Sequence, residues 1–310
     1  MLKHETAGDP MSDLKWTRKS TVKIAAQLER LDIEVCPNTV SRLLHGMGYS
    51  LKVNRKIIES GNKNPPPPKV RNQQFLYICR KREEFSGSNN PIISVDCKKK
   101  ELIGSFKNAG ASWQLKPLPV NDHDFRSDAD GMFIPYGILD TEANQGFVVC
   151  GTQHETPAFA VDSIVLWWES SGCHTYDKAT ELLILADCGG GNSARARAWK
   201  FHLQKRLCDP YSIAVTVCHY PAGASKWNPI EHRLFSEISK NWAGRPLDSY
   251  ETATHYIRTT RTCSGLRVRS RLHRKHYELG ERISDAEFKG LLLKPHKVLP
   301  KWNYTLTPSK

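Results

Sequence analysis

Leu182-Leu183-Ile184-Leu185-Ala186-Asp187 is a run of five apolar residues that ends in an acid. A run apolar at every position, not at every second one, suits a strand covered on both faces of a sheet. It predicts a strand over 182–186. An acid at the end of a buried strand is costly unless its charge is compensated. The C-terminal rim of a sheet is also where rigidly held catalytic groups often sit. Ile92-Ile93-Ser94-Val95-Asp96 repeats the pattern and predicts a second strand with an acid at its end.

Between and beyond these runs, 102–106, 132–139 and 147–151 read as strands, the last after the turn Asn144-Gln145-Gly146. Helices are predicted over 70–85 (apolar set Phe75, Ile78, Cys79 and Phe85), 157–168 and 194–207, a strand over 213–217, and a helix over 229–242. Three hairpin-like strands followed by alternating helices and strands describe an α/β fold, a mixed sheet flanked by helices.

The last of these helices carries a third acid. Asn228 can cap it and Pro229 fits its first turn. At 100° per residue, Ile230, Leu234, Phe235, Ile238 and Trp242 share one face, and Glu231 falls near its middle. Three carboxylates converging on one rim repel one another and raise each other's pKa. Divalent ions relieve that conflict. Mg²⁺ prefers carboxylate oxygens and water, and a pair of such ions activates a water or hydroxyl at a phosphodiester.

The N-terminal part reads differently. Residues 1–19 are polar and predict an irregular lead-in. Ile24, Leu28 and Leu31 line one helix face, and Val40, Leu43, Leu44 and Met47 line another that Pro37 opens and Gly46 and Gly48 close. Two short helices joined by a tight break are a helix-turn-helix candidate. Its outward residues, Asn38, Arg42 and His45, include the types that pair with adenine and guanine edges. Asn62 to Pro68 reads NKNPPPP, an extended linker. The expected organisation is therefore 1–61 DNA-binding, 62–69 linker, 70–245 catalytic, and 246–310 a basic region packed on or extending the catalytic part.

Charge agrees with this. Lys plus Arg number 45 against 32 Asp plus Glu, a net +13, and polyanions are the natural partner. From Thr252 to Tyr277 there is no acid but there are seven Lys or Arg residues: Arg258, Arg261, Arg267, Arg269, Arg271, Arg274 and Lys275. As this run follows the third acid, it is expected to hold DNA beside the acids. Nine scattered cysteines without a CxxC pair suit reduced thiols, not zinc. The longest apolar runs are five residues, against about 20 for a membrane span.

Several stretches carry a resemblance: RLLHGMGYSLKVNRK (42–56), ISVDCKKKELIGSFKNAG (93–110), HDF (123–125), PYGILD (135–140), LLILADCGGGNSARARAWK (182–200), CHYPAGASKWNPIEHRLFSEI (218–238) and WNYT (302–305). Through them the chain resembles the Rhodopirellula-type DDE transposases of bacterial insertion sequences, relatives of the retroviral-integrase superfamily. The resemblance implies an RNase H-like five-stranded mixed sheet. It implies Asp96, Asp187 and Glu231 as catalytic metal ligands, spaced D-x90-D-x43-E. Two Mg²⁺ or Mn²⁺ ions are expected, with double-stranded DNA as substrate, a homo-oligomer on that DNA, and no membrane or small-molecule cofactor. The expected location is the bacterial cytoplasm at the nucleoid. Lys98, Lys99, Arg195, Arg197 and Lys226, with Arg267, Arg269 and Arg271, join Asn38, Arg42 and His45 as expected DNA contacts. The family usually begins with a further N-terminal stretch, so a truncated copy is expected. A catalytically inactive DNA-binding remnant and a nuclease without strand transfer are the alternatives. Ser193 stands where the family has Gly, which predicts strain if the loop there needs positive φ.

Overall fold

The computed structural model describes residues 7–8, 15–16, 19–51, 66–122, 126–221, 223–224 and 227–309. Most of the NKNPPPP segment, the HDF stretch and Lys226 lie outside the described residues. The chain divides into two compact units, Met1–Ile57 and Ile58–Lys310.

In the first unit, strands β1 (Ala7–Gly8) and β2 (Lys15–Trp16) pair antiparallel, so the lead-in read as irregular contains a short ribbon. Helix α1 (Thr21–Glu29) starts where the Ser20 hydroxyl accepts from the Lys23 amide. Helix α2 (Pro37–Gly46) starts on Pro37, with Cys36 as its cap. The two bury Ile24, Ala25 and Val40 against Leu28, Val35 and Leu44. Leu31, Leu43 and Met47 are exposed, contrary to the predicted faces. Two short helices packed on each other cover only one narrow stripe apiece.

The second unit opens with α3 (Pro68–Phe85), which begins at a proline in its first turn, two residues before the predicted start. Its inner face holds Gln74, Ile78 and Phe85, while Cys79 is exposed. The strands that follow are β3 (Ile92–Cys97), β4 (Glu101–Ile103), β5 (Gly131–Asp140) and β6 (Gln145–Gly151). Helix α4 (Pro157–Trp167) runs through a π turn into α5 (Cys173–Thr175). After β7 (Glu181–Ala186), α6 (Arg197–Leu203) does the same into α7 (Asp209–Tyr211), and β8 (Ala214–His219) follows. The predicted helix 229–242 is a π segment, Glu231–Phe235, leading into α8 (Ser236–Asn241). Then come α9 (Tyr250–Arg258), β9 (Arg267–His273), α10 (Asp285–Lys289), β10 (Leu293–Pro295) and β11 (Asn303–Leu306).

Among the described residues the sheet has nine strands, in the order β10-β11-β8-β7-β3-β5-β6-β9, with β4 on β5. Its middle, β6-β5-β3-β7-β8, is the RNase H-like mixed sheet: β5 runs antiparallel to β3 and β6, while β3, β7 and β8 are parallel. The expected five strands are extended at both edges by the C-terminal region. There β9 pairs parallel with β6, and the β10–β11 hairpin adds to β8.

One face of the sheet is covered by α4 and α6 around Trp167, Trp199 and Leu203. The other is covered by the Glu231 helix and α9 over Leu139, Val148 and Val268, and by α3 over Leu183 and Leu185. No helix among the described residues is long and apolar enough to cross a membrane.

Candidate active site

The parallel pairing of β3 with β7 sets Val95 opposite Ala186. The next residue on each strand is an acid, so Asp96 and Asp187 stand side by side at the carboxyl rim of the sheet. Both carboxyls titrate above the ordinary range. Burial is the main cause for each, and for Asp96 the charges of Asp187 and then Glu231 add to it. Glu231 is also raised, by burial first and by Asp187, while Lys98 and His232 pull the other way.

Each acid is held by named neighbours. The Cys97 amide donates to Asp96 Oδ1 at 2.8 Å, and Asn228 Nδ2 reaches Oδ2 at 3.4 Å. The Ser94 hydroxyl in turn donates to Asn228 Oδ1. Asn228, predicted as a helix cap, is therefore fully buried and orients Asp96. Asp187 accepts from the Gly189 amide at 3.1 Å and from the Asn192 side chain, whose Oδ1 accepts from Tyr136 at 2.5 Å.

Glu231 reaches the rim because Gly137 lies beneath its helix. Gly137 pairs with Asp96 across β3 and β5. A Cβ there would stand 2.5 Å from Phe235 Cε1 and 3.0 Å from Ile230 Cδ1. The apolar face read from the sequence is the buried one: Ile230, Leu234, Phe235, Ile238 and Trp242 are all in the core. The π turn, one residue wider than an α turn, brings Ile230 and Phe235 inward together.

These are hard oxygen donors crowded together and charged against each other, the chemistry that suits Mg²⁺ or Mn²⁺. Among the described residues no three His, Cys, Asp or Glu side chains stand close enough together to form a metal-holding group.

The expected DNA contacts are only partly gathered here. Lys98 is buried, paired with Glu101 at 3.4 Å and 4.7 Å above the Trp242 ring, and it faces Glu231. It is not a surface lysine. Lys99 is exposed on a groove beside Cys97 and Met132, and Arg195 on another beside Lys200 and Lys301. Arg197 is exposed but paired with Asp285 at 2.5 Å. Asn38, Arg42 and His45 are exposed in the first unit.

The basic run does not lie beside the acids. Arg267, Arg269 and Arg271 alternate with Val268 and Leu272, which face the cluster under the Glu231 helix. The arginines therefore occupy the opposite face of β9. That strand is three strands from β3, about 14 Å away. Lys275 and Arg274 are spent on Asp162 and Glu251.

Two residues near the acids escaped the sequence reading. Glu155, before α4, accepts from the Gly191 amide at 2.9 Å and pairs with Lys100 at 3.1 Å. Gly190 beside it has φ +54, and a Cβ there would collide with the Glu155 carboxylate. Ser193 has φ −52, so the glycine-rich loop puts its left-handed residue at 190 and the expected strain at 193 is absent. The second is His219, at the end of β8. It is fully buried, and burial lowers its pKa to about 4, so it is neutral. Glu155 belongs to no recognisable sequence pattern, and His219 lies within the quoted stretch 218–238 but was given no role there.

A family model described as the Rhodopirellula transposase DDE domain matches residues 1–308. No curated protein sequence matches significantly. Among solved structures, the Mos1 transposase paired-end complex with the left transposon end aligns at TM-score 0.45 and 16% identity, over 77% of this chain and 65% of that one. The Mos1 strand transfer complex aligns at 0.44 and 17%, over 81% and 72%. The catalytic domain of Mos1 mariner transposase aligns at 0.38 and 12%, over 61% and 77%. The chain thus spans 65% of the length of the Mos1 chain in the first of these.

Proposed function

The chain belongs to the Rhodopirellula transposase DDE-domain family, and from that premise we propose that it is a DNA transposase of an insertion sequence. It hydrolyses a phosphodiester at the element's end, and the freed 3′-hydroxyl then attacks target DNA. The observation that carries this reading is the position of Asp96 and Asp187, each one residue beyond the paired Val95 and Ala186 on adjacent parallel strands, beneath a helix that adds Glu231.

In this reading Asp96, Asp187 and Glu231 hold a pair of divalent ions, Mg²⁺ or Mn²⁺. Such ions, when bound, supply positive charge, an activated oxygen nucleophile and stabilisation of the leaving oxygen. The chain's own contribution is rigidity. Strands fix the two aspartates, Asn228 and Asn192 orient their carboxyls, and the close packing over Gly137 sets the height of Glu231. Lys98, buried beside Glu231, offsets part of the repulsion among the acids.

Double-stranded DNA is the substrate in this reading, and a homo-oligomer of the chain acts on it. Asn38, Arg42 and His45 read the element's end from α2. Lys99 and Arg195 meet phosphates near the rim, and Lys226 adds charge just before the Glu231 helix. The test is to incubate the full chain with its element's end DNA and Mg²⁺. Nicked and then joined products are expected. Nicking without joining would reassign the protein as a nuclease, and DNA binding without either would make it an inactive remnant.

A further inference from the structure

Two segments singled out in the sequence, CHYP (218–221) and WNYT (302–305), meet directly behind Asp187. Strand β11 lies beside β8, with Asn303 opposite Cys218 and Tyr304 opposite Val217. At the strand end His219 Nδ1 is 2.8 Å from the Asp187 carbonyl oxygen, and Nε2 is 3.2 Å from the Tyr304 hydroxyl. The Trp199 indole N–H donates to that same hydroxyl at 2.9 Å. His219, Tyr304 and Trp199 are all essentially without exposure.

Only one assignment of protons satisfies every member. The Asp187 carbonyl can only accept, so Nδ1 carries the hydrogen and donates to it. Nε2 is then bare and accepts from Tyr304 O–H. The Tyr304 oxygen has its lone pairs left for Trp199. The result is a one-way chain, Trp199 to Tyr304 to His219 to the backbone of Asp187.

The base of this chain is itself tied down. Gln74 of α3 and Asn303 exchange reciprocal amide hydrogen bonds at 2.8 and 2.7 Å. Gln74 also donates to the His219 carbonyl at 2.8 Å, and the His219 amide donates to the Trp302 carbonyl at 3.0 Å. Buried polar groups of this density are costly unless all are satisfied, and apolar side chains would fill the same space at less risk. Their cost is understandable if they fix something that apolar packing cannot, namely a direction.

We propose that His219 is a positioning residue for Asp187, held in its Nδ1–H tautomer by Tyr304, so that the C-terminal strand β11 is a working part of the catalytic centre. The proposal rests on Asp187 being a metal ligand. Groups that orient ligands in this way change metal affinity by about 10–100-fold when lost.

The test is Mn²⁺ titration of the full chain, read from the paramagnetic resonance of the free ion. It is run on wild type, Asp187→Asn, Tyr304→Phe and His219→Asn, with melting and DNA affinity measured beside it. Asp187→Asn is expected to lose the ion; if it binds like wild type, the metal-ligand reading itself fails. With that loss in hand, Tyr304→Phe is expected to bind about tenfold more weakly at unchanged DNA affinity. His219→Asn keeps a donor at the Nδ1 position and is expected to bind more tightly than Tyr304→Phe. Wild-type affinity in Tyr304→Phe would overturn the positioning role and leave the triad standing. Long-range ¹H–¹⁵N spectra of wild type labelled at histidine add a check that needs no variant to fold. A proton on Nδ1 of His219 is expected, and a proton on Nε2 would overturn the chain.

Discussion

Gly137 lies directly beneath Phe235, so close that a Cβ at 137 would stand 2.5 Å from the ring. The same glycine pairs with Asp96 across the sheet. One missing side chain therefore sets the separation between the strand that carries the first acid and the helix that carries the third. Gly137→Ala should lift that helix and cost about 1–3 kcal/mol, the range for overpacking. Melting and metal-dependent DNA cleavage should both fall while DNA binding holds. A variant with unchanged melting and cleavage would show that the helix has slack.

Without metal, Asp96 is a buried carboxyl beside two others, and its pKa is raised by burial and by Asp187 and Glu231. A raised carboxyl destabilises the fold at neutral pH, since the unfolded chain ionises it more easily. Asp96→Asn should therefore melt higher than wild type in chelator, by roughly 2–4 °C for each kcal/mol relieved. Calorimetry in chelator checks this, and a lower melting point would contradict the crowding.

Asp162 behaves in the opposite sense. Burial alone would raise it, but hydrogen bonds from Lys275, Arg206 and Tyr277 at 2.6–2.8 Å outweigh that and hold it below the ordinary range. A lowered carboxyl contributes stability above its unfolded value, about 3.9, and loses it as pH falls through the folded value. Asp162→Asn should cost about 1–3 kcal/mol at pH 7. The gap to wild type should narrow below about pH 4. Denaturant melts at both pH values decide it; a constant gap would contradict the charge argument.

Arg267 and Arg271 are exposed on β9, whereas Arg269 donates to the Ser170 carbonyl and the Ser171 hydroxyl at 3.3 and 3.2 Å. If the two free arginines touch phosphate, replacing all three by Ala should make the log–log salt slope of DNA binding shallower by about two. The loss should be equal on element-end and random DNA. An unchanged slope in a folded triple variant would assign this face to something other than DNA.

The central strands, the acids at their ends and the inward face of the Glu231 helix were legible because burial on both faces leaves unbroken apolar runs. The edges were not. In β9 the apolar partners of a two-residue alternation are Val268 and Leu272, and the arginines between them made the segment look like a charge run. The exposure of Leu43 and the burial of Lys98 also escaped, since each depends on what packs opposite. His219 and Glu155 had no local signature: their partners lie 32, 85 and 36 residues away in the chain.

The central claim is that Asp187 is part of a metal-dependent catalytic centre. The most direct measurement is Mg²⁺-dependent nicking of element-end DNA by Asp187→Asn, in protein whose melting and DNA affinity match wild type. The substitution keeps the volume of the side chain and removes its charge, and the account predicts no detectable nicking. Nicking at the wild-type rate would contradict it.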